Sequence, residues 1–294
     1  MNAAFDSDHI QFEPIRDDFG AIVHGVELSE PLSSQQFDQI RDGHVRHGLL
    51  IFRDQTLTPE QEISFARRFN KIRLYLGNDD TKLPGHPEIN VLGNVVEDGR
   101  QIGHQVKIGI EWHTDGTGFQ FPAVATVLYC LESPNHGGET LFASGKRAWE
   151  ELSPKRQIEL ETVRVLYSFH HLYNKLHKAA GTGKSLTDDE RSKSPEVAHP
   201  LVRTHSVTGK KALWFTRSEM KQFVGLSESQ SAKLATEIVA LISKPEYVYS
   251  HVWRPGDLLV WDNRWMHHST TPYTYADERR LMHRVSGEGD EIPH

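Results

Sequence analysis

The stretch EWHTDG at 111–116 places a histidine and a carboxylate two positions apart, at His113 and Asp115. Residues i and i+2 of a β-strand point to the same face of a sheet, so both side chains could reach one metal ion. The spacing alone is a weak signal, because His86-Pro87-Glu88 has it too and follows Pro84-Gly85 in an expected solvated loop. A metal site at His113 therefore needs a third ligand from elsewhere in the chain.

The third ligand is expected in the stretch WDNRWMHHST at 261–270, where a predicted strand is followed by the adjacent His267 and His268. Adjacent residues of a strand face opposite sides, so only one of the two histidines can join the site. The residues by themselves do not decide which one. Two histidines and one carboxylate form the facial arrangement that leaves coordination positions open on Fe(II).

The elements that would position these residues are mostly short strands. Alternating patterns predict strands at 20–29 and 49–53, and short β-rich segments follow one another from residue 88 onward. Helices are predicted at 33–48, from the N-cap Thr58 with Pro59, around 145–162 with a break at Pro154, and around 227–243. No Gly/Ser/Pro-rich linker divides the chain, so we predict one mainly β domain over 1–294, a double-sheet roll with peripheral helices.

One long stretch interrupts this pattern. Residues 174–195 lack apolar periodicity and carry Gly181, Gly183 and many charges. Such a segment is typical of a mobile loop, which is either a disordered insertion or a lid over a site.

Composition excludes several classes of function. The 33 basic and 40 acidic residues give a net charge of -7 and are scattered, which argues against nucleic-acid binding. The first residues do not form a secretory signal, and the longest apolar run, 123–131, is shorter than the roughly 20 residues that span a bilayer. We therefore predict a cytoplasmic protein without a membrane partner. The single cysteine, Cys130, lies in that run and is expected to be a buried, inert thiol.

Several motifs occur in an order that is specific to one family. They are W-H-T-D at 112–115, G-G-E-T at 137–140, W-D-N-R-x-x-x-H at 261–268 and R-R-x-M-H-R at 279–284, with G-A-x-V-x-G-V-x-L at 20–28 and ARRFNKI at 66–72. These motifs extend over nearly the whole chain. Through them the chain resembles the taurine dioxygenase and 2,4-dichlorophenoxyacetate dioxygenase family of Fe(II)- and 2-oxoglutarate-dependent oxygenases. The resemblance implies a double-stranded β-helix fold, a cupin-like jelly roll. It assigns the metal ligands as His113, Asp115 and His268, and leaves His267 as a neighbour.

The same resemblance implies the cosubstrates and the reaction. Fe(II), 2-oxoglutarate and dioxygen would together oxidise a small substrate, in the usual case by hydroxylation, with succinate and carbon dioxide as products. Thr140 and Arg280 would hold the far carboxylate of 2-oxoglutarate, and a guanidinium suits this role because it stays charged and donates two parallel hydrogen bonds.

The resemblance also points to substrate residues. Strand alternation would put Arg280, Met282 and Arg284 on one face, and Arg284 would bind the anionic group of a sulfonate, aryloxyalkanoate, amino acid or other carboxylate. Tyr75 and Lys107 lie where the family places substrate loops. A homodimer or homotetramer would match the family's habit.

Other interpretations stay open at this point. Arg280 could be a solvated residue beside Arg279, and Arg284 could pair with an internal acid such as Glu111 or Glu139. The aromatic residues near the first two ligands are more often plain core than pocket walls; they are Trp112, Phe119 and Phe121. The whole chain could be a non-catalytic metal-binding β-roll, such as a sensor or storage protein, or a zinc hydrolase that uses the same ligands.

Overall fold

The computed structural model of the chain describes residues 10–74, 81–97, 100–103, 110–179, 181, 185–273 and 278–294. The helices in these ranges are α1 (Ser34–His47), α2 (Pro59–Arg67), α3 (Gly145–Glu150), α4 (Pro154–Glu161), α5 (Phe169–Ala179), α6 (Asp188–Lys193) and α7 (Glu228–Ile242), with a 3-10 turn at Pro245–Tyr247. The strands up to the first proposed ligands are β1 (Gln11–Pro14), β2 (Ala21–His24), β3 (Leu49–Phe52), β4 (Lys82–Leu83), β5 (His86–Gly93), β6 (Val96–Glu97), β7 (Arg100–Gln101) and β8 (Ile110–His113). The later strands are β9 (Ala125–Glu132), β10 (Thr140–Ser144), β11 (Arg164–Tyr167), β12 (Val197–Pro200), β13 (Val202–Thr204), β14 (Lys211–Leu213), β15 (Met220–Phe223), β16 (Tyr249–His251), β17 (Leu258–Asp262), β18 (Met266–Thr270) and β19 (Leu281–Ser286).

Two sheets form the centre of the molecule. The larger has eight strands in the order β1-β2-β3-β17-β9-β19-β5-β4, and the smaller has four in the order β16-β10-β18-β8. Within these two sheets the β2–β3 pair is parallel and the other pairs are antiparallel. This sheet-rich architecture confirms the predicted mainly β jelly roll, in which non-consecutive strands such as β17 and β9 become neighbours.

Strand β17 shows how the sequence alternation builds the core. Leu258 and Val260 join an apolar cluster on the face that α1 and α2 cover, whereas Leu259 and Trp261 join a second cluster that contains side chains of both sheets. Successive strand residues point to opposite faces, so a continuous apolar run is required where both faces are buried. Cys130 belongs to the second cluster, which confirms the prediction of a buried thiol, and burial raises the pKa of this thiol to about 12.

The helices begin where their capping residues predict. Ser33 and Thr58 each accept a hydrogen bond from the backbone N–H three residues later and form a capping box, and Gly48 ends α1 with a φ of 70°. Pro154 begins α4, and Ser227 caps α7. A third apolar cluster contains side chains of α3, α4 and α7 together with those of β11 and β14–β15. No helix in the described ranges is long and apolar enough to cross a membrane.

One local prediction was wrong. His86 does not lie in a loop but begins β5, because Pro84 and Gly85, with φ 82° at the glycine, form a tight two-residue turn after β4. Glu88 of the same triplet accepts a hydrogen bond from Arg67 at 2.6 Å, so the triplet is structural.

The stretch 174–195 is also more regular than expected. It contains the last part of α5 and the whole of α6, which begins after a capping box formed by Thr187 and Glu190. This box lies in a segment without apolar periodicity, and α6 has no buried residue, so the apolar pattern did not reveal the helix. The role of the segment as a lid stays a prediction.

Candidate active site

Strands β8 and β18 bring the proposed metal ligands together. They pair antiparallel with His113 opposite His268. Asp115 does not share the strand with His113, as the i, i+2 spacing had predicted, but lies in the turn two residues beyond the end of β8. His113 Nε2 lies 3.8 Å from Asp115 Oδ1, and His268 Nε2 lies 3.9 Å from Asp115 Oδ2. One potential ligand atom from each residue lies within 4.8 Å of the others, as is required for a single ion.

The structure also separates the two adjacent histidines. His267 faces the other side of β18, where its Nε2 accepts a hydrogen bond from the backbone N–H of Phe215 at 3.2 Å. His267 is fully buried and takes no part in the metal-ligand cluster. Strand alternation thus directs only His268 towards Asp115.

Protonation of the cluster suits a metal ion. His113 Nδ1 lies 2.8 Å from the carbonyl oxygen of Glu111, to which it donates in the tautomer that leaves the Nε2 lone pair facing Asp115. Burial lowers the pKa of His113 and His268, so both imidazoles are neutral at neutral pH. Burial acts to raise the pKa of Asp115, but His268, Arg284, His113 and the hydrogen bond from Thr126 together outweigh it, and the net pKa is lowered. Two neutral imidazoles and one carboxylate form a donor set that fits Fe(II).

A buried hydrogen-bond network holds Asp115 in place. Thr126 donates to Asp115 Oδ2 at 2.7 Å, and Asn263 Nδ2 donates to the Thr126 hydroxyl at 2.9 Å. The Asn263 side-chain oxygen accepts from the backbone N–H of Asp115 at 3.1 Å and from the Trp261 indole at 3.0 Å. Sequence reasoning did not identify Thr126 or Asn263 as functional. In the sequence, Thr126 is a lone threonine in an apolar run, and Asn263 is an asparagine at the end of a buried strand.

A cavity extends from the metal-ligand cluster to the proposed cosubstrate residues. It is lined by His113 and His268 at one side and by Thr140, Arg280 and Arg284 further along. Both Thr140 and Arg280 are buried, with 1% and 5% of their surface exposed. The cavity therefore brings together five of the six residues that the motifs had indicated, and the sixth, Asp115, lies beside His113 and His268.

Hydrogen bonds with neighbouring residues hold Thr140 and the backbone of Arg280 in place. Trp253 donates its indole N–H to the Thr140 hydroxyl at 3.0 Å, so this hydroxyl can donate its own proton to another group. Asn94 accepts from the backbone N–H of Arg280 at 2.8 Å and fixes the chain just before β19. Sequence reasoning missed Trp253 and Asn94, since neither lies in a motif that was used.

Arginine positions in and before β19 follow the predicted alternation. Arg284 lines the cavity, and its Nη1 lies 3.9 Å from Asp115 Oδ1. Arg279 points away and forms a two-pronged ion pair with Glu132, at 2.6 and 2.8 Å. The acid near Arg284 is thus the proposed ligand Asp115. The Glu139 side chain instead accepts a hydrogen bond from Thr271.

Other predicted residues have different outcomes. Tyr75 and Lys107 lie outside the described residues. Phe119 packs at 5.6 Å from the Phe169 ring, and Phe121 is exposed. A larger cleft of about 650 Å³ lies beside α1 and the β13–β14 pair, and none of the metal or cosubstrate residues lines it. Cavity size alone would therefore indicate the wrong place, whereas the chemistry of the side chains indicates the cluster at His113.

Comparison with known proteins agrees with this geometry. The model of the taurine catabolism dioxygenase TauD, TfdA family matches residues 11–286. The chain is 29% identical over 290 residues to an (S)-phenoxypropionate/alpha-ketoglutarate-dioxygenase of Sphingobium herbicidovorans, which covers 98% of this chain and 97% of the relative. It is 30% identical over 277 residues to an alpha-ketoglutarate-dependent 2,4-dichlorophenoxyacetate dioxygenase of Cupriavidus pinatubonensis, with 91% and 94% covered. The solved structure of a taurine dioxygenase from Burkholderia xenovorans superposes with a TM-score of 0.77 at 27% identity, over 97% of this chain and 92% of that chain.

These similarities extend over nearly the whole chain and include the strands that carry the cluster of His113, Asp115 and His268. The family uses Fe(II), dioxygen and 2-oxoglutarate, which is alpha-ketoglutarate under its other name. The chain belongs to the taurine catabolism dioxygenase TauD, TfdA family and is a 2-oxoglutarate-dependent dioxygenase.

Proposed function

We propose that this dioxygenase hydroxylates a small organic anion and converts 2-oxoglutarate to succinate and carbon dioxide in the same turnover. One atom of dioxygen enters the new hydroxyl group of the substrate and the other enters succinate, which accounts for both oxygen atoms. His113, Asp115 and His268 hold Fe(II), which when bound supplies the activation of dioxygen.

Thr140 and Arg280 bind the far carboxylate of 2-oxoglutarate in this proposal. The Trp253 indole orients the Thr140 hydroxyl as a donor, and the buried Arg280 guanidinium adds charge-assisted hydrogen bonds. The surrounding side chains exclude water, since the cavity wall includes Leu92, Leu128 and Trp261.

Arg284 binds the anionic group of the substrate. The observation that supports this step most strongly is its position, within 3.9 Å of Asp115 and on the wall of the same cavity as both histidine ligands. A cation there attracts an anion to the side of the metal and holds the substrate carbon near it. Two relatives are named for acting on phenoxypropionate and 2,4-dichlorophenoxyacetate, which are carboxylates.

A screen of succinate release tests the proposal. The purified protein is supplied with Fe(II), ascorbate, oxygen and 2-oxoglutarate, and succinate is measured with and without sulfonates, aryloxyalkanoates, amino acids and other small carboxylates. We expect at least one anion to raise succinate formation above the substrate-free rate and to be recovered as a hydroxylated product. Absence of oxygen-dependent succinate formation would reject the proposal and leave a metal-binding β-roll or a hydrolase as the better description.

A further inference from the structure

A short segment that carries Trp253 lies behind the proposed 2-oxoglutarate site. Strand β16 pairs with β10 and places His251 directly opposite Thr140. Trp253 comes two residues after His251, where β16 ends, and its indole N–H donates to the Thr140 hydroxyl at 3.0 Å. The direction of the Thr140 hydroxyl therefore depends on how firmly the Trp253 indole is held.

One carboxylate oxygen, Oδ2 of Asp257, binds the chain on both sides of Trp253. It accepts a hydrogen bond from the backbone N–H of Arg254 at 2.9 Å and lies 3.1 Å from His251 Nε2. The backbone N–H of Asp257 also donates to the carbonyl oxygen of Arg254 at 3.0 Å, which closes a turn. Asp257 thus joins the residue that follows Trp253 to a residue that precedes it.

Asp257 and His251 form a buried, charged pair. They are 1% and 0% exposed, and Arg53 Nη1 lies 2.5 Å from the same Asp257 oxygen and balances its charge. Burial acts to raise the pKa of Asp257, but the hydrogen bonds from its three partners and the charge of Arg53 together outweigh it, and the pKa is lowered. Burial lowers the pKa of His251. Asp257 is therefore a carboxylate, and His251 is a neutral imidazole whose Nε2 donates to it.

The His251 ring also contacts the Trp253 ring directly. The two ring centroids lie 4.6 Å apart and the ring planes meet at 81°, an edge-to-face arrangement. The second nitrogen of His251, Nδ1, accepts from the Tyr249 hydroxyl at 3.3 Å. The imidazole is thus held at both nitrogens, and it supports the face or edge of the indole from a fixed position.

We propose that Asp257 and His251 are positioning residues for 2-oxoglutarate. They fix the Trp253 indole, and the indole directs the Thr140 hydroxyl towards the far carboxylate of the cosubstrate. Thr140 lines the cavity beside the metal ligands, whereas Asp257 and His251 lie behind its wall and act only through Trp253. This inference rests on the proposed function, because it assumes that Thr140 binds 2-oxoglutarate.

The variant Asp257→Asn tests the inference. Asparagine keeps the shape of aspartate and one acceptor oxygen, but it loses the charge that binds Arg53. We expect the KM for 2-oxoglutarate to rise about three- to tenfold, and the Kd of 2-oxoglutarate for the Fe(II) protein without oxygen to rise equally. The kcat at saturating 2-oxoglutarate and the Fe(II) affinity should stay within about twofold of the wild-type values, because the metal ligands are not affected. Asp18→Asn is the matched control, since it also removes ion pairs, those with Arg16 and Arg147, and should leave the KM unchanged.

Two results of this comparison overturn the inference. One is a wild-type KM for 2-oxoglutarate in folded Asp257→Asn. The other is an equal loss of 2-oxoglutarate affinity, kcat and Fe(II) affinity, because this would show a general structural role. If Asp257→Asn does not fold, His251→Gln carries the same test, since it removes the ring that supports Trp253.

The variant Trp253→Phe shows whether Asp257 acts through the indole. Phenylalanine keeps an aromatic ring against His251 but cannot donate to Thr140, so this variant alone should also raise the KM for 2-oxoglutarate about three- to tenfold. The double variant Asp257→Asn/Trp253→Phe should have a KM no higher than that of the weaker-binding single variant, because both changes remove the same contact. Multiplication of the two effects in the double variant would show that Asp257 acts independently of Trp253, and it overturns the inference.

Failure of the inference can be distinguished from failure of the proposed function. Thr140→Val keeps the shape of threonine and removes its hydroxyl. If this variant binds 2-oxoglutarate more weakly but Trp253→Phe and Asp257→Asn do not, only the positioning role is rejected. If Thr140→Val binds 2-oxoglutarate as the wild type does, the cosubstrate role of Thr140 fails and the inference fails with it. Absence of oxygen-dependent succinate formation by the wild type rejects the proposed function itself.

Discussion

The chemical role of a single residue in a strand depends on the face to which its side chain points. His267 and His268 are adjacent and both buried, yet one accepts a hydrogen bond from Phe215 and the other faces Asp115. Two histidines that look alike in the sequence therefore have different expected functions, and matched substitutions can separate them.

The two histidines should respond differently to the same substitution. His268→Gln should abolish turnover and weaken Fe(II) binding by about 100-fold or more, because a ligand of a three-residue site is lost. His267→Gln should keep most of the activity, because its side-chain oxygen can still accept from Phe215. Fe(II) titration and succinate formation measure both effects. An inactive but folded His267→Gln with an active His268→Gln would show that the ligand assignment is wrong.

Arg280→Lys tests the cosubstrate assignment. An ammonium group cannot reproduce the two parallel hydrogen bonds of a guanidinium, and the loss of such contacts is worth roughly 1.5 to 3 kcal/mol. The KM for 2-oxoglutarate should therefore rise by one to two decades, or about 10- to 100-fold. Arg279→Lys, on the exposed neighbour that pairs with Glu132, is the matched control and should leave this KM unchanged. Equal saturation curves for wild type and Arg280→Lys would contradict the assignment.

Sequence reasoning found residues whose chemistry and spacing are local. The His113-x-Asp115 spacing indicated the first two ligands, although Asp115 lies in the turn after β8 and not in the strand, and the motif order assigned His268. Thr126 and Trp253 were not found, because each acts through a side-chain hydrogen bond to a residue outside its own segment. Trp253, for example, meets Thr140 across 113 positions, and no local pattern encodes such a contact.

Strand β9 combines core packing with the positioning of a metal ligand. Eight residues form the strand, and Thr126 is the one whose hydroxyl donates to a metal ligand, Asp115, while Val127 and Leu128 pack into apolar clusters. The strand therefore has a packing role and a positioning role at once. The same is true of β17, which ends at Asp262 just before Asn263 continues the network around Asp115.

Thr126→Val should weaken Fe(II) binding by about 10- to 100-fold, because valine keeps the shape of threonine but cannot donate to Asp115. The melting temperature should change little by comparison, since the apolar contacts of β9 remain. Fe(II) titration with parallel thermal unfolding measures both quantities. Thr236→Val, on the exposed side of α7, is the matched control. Unaltered Fe(II) affinity in Thr126→Val would show that the hydrogen bond does not position the ligand.

Helix boundaries were predictable for a different reason. Ser33, Thr58 and Ser227 each predict the start of a helix, because each forms a capping box with the residue three positions later. Strand pairing was not predictable in this way, since the order β3-β17-β9-β19 joins segments from both halves of the chain. Local signals thus fix the ends of helices, whereas the sheet order depends on contacts that only the folded molecule makes.

Buried histidines make the stability of the whole molecule depend on pH. Burial lowers the pKa of His199 to about 4 and also lowers that of His44 and His251. Below the ordinary value of 6.5 the unfolded chain takes up protons that the folded protein excludes. Stability should therefore be complete above that value and fall as the pH drops from 6.5 towards about 4, by up to about 1.4 kcal/mol per pH unit for each such histidine.

Urea unfolding over this pH range measures the effect. His199→Gln keeps a donor for the carbonyl oxygen of Phe119, which His199 Nε2 contacts at 2.9 Å, but it cannot take up a proton. The slope of the free energy of unfolding against pH should therefore be smaller in His199→Gln than in the wild type. An identical slope would show that His199 is not among the groups responsible.

For the whole molecule, we propose that this Fe(II)- and 2-oxoglutarate-dependent dioxygenase uses Arg284 to recognise an organic anion. The most direct measurement compares succinate formation by the wild-type enzyme with a stimulating acid and with the neutral methyl ester of that acid. We expect the acid to raise the rate well above the substrate-free level and the ester to raise it about tenfold less, because the ester removes the charge that Arg284 binds. Arg284→Ala should lose the stimulation by the acid. Equal rates with acid and ester in the wild-type enzyme would contradict the claim.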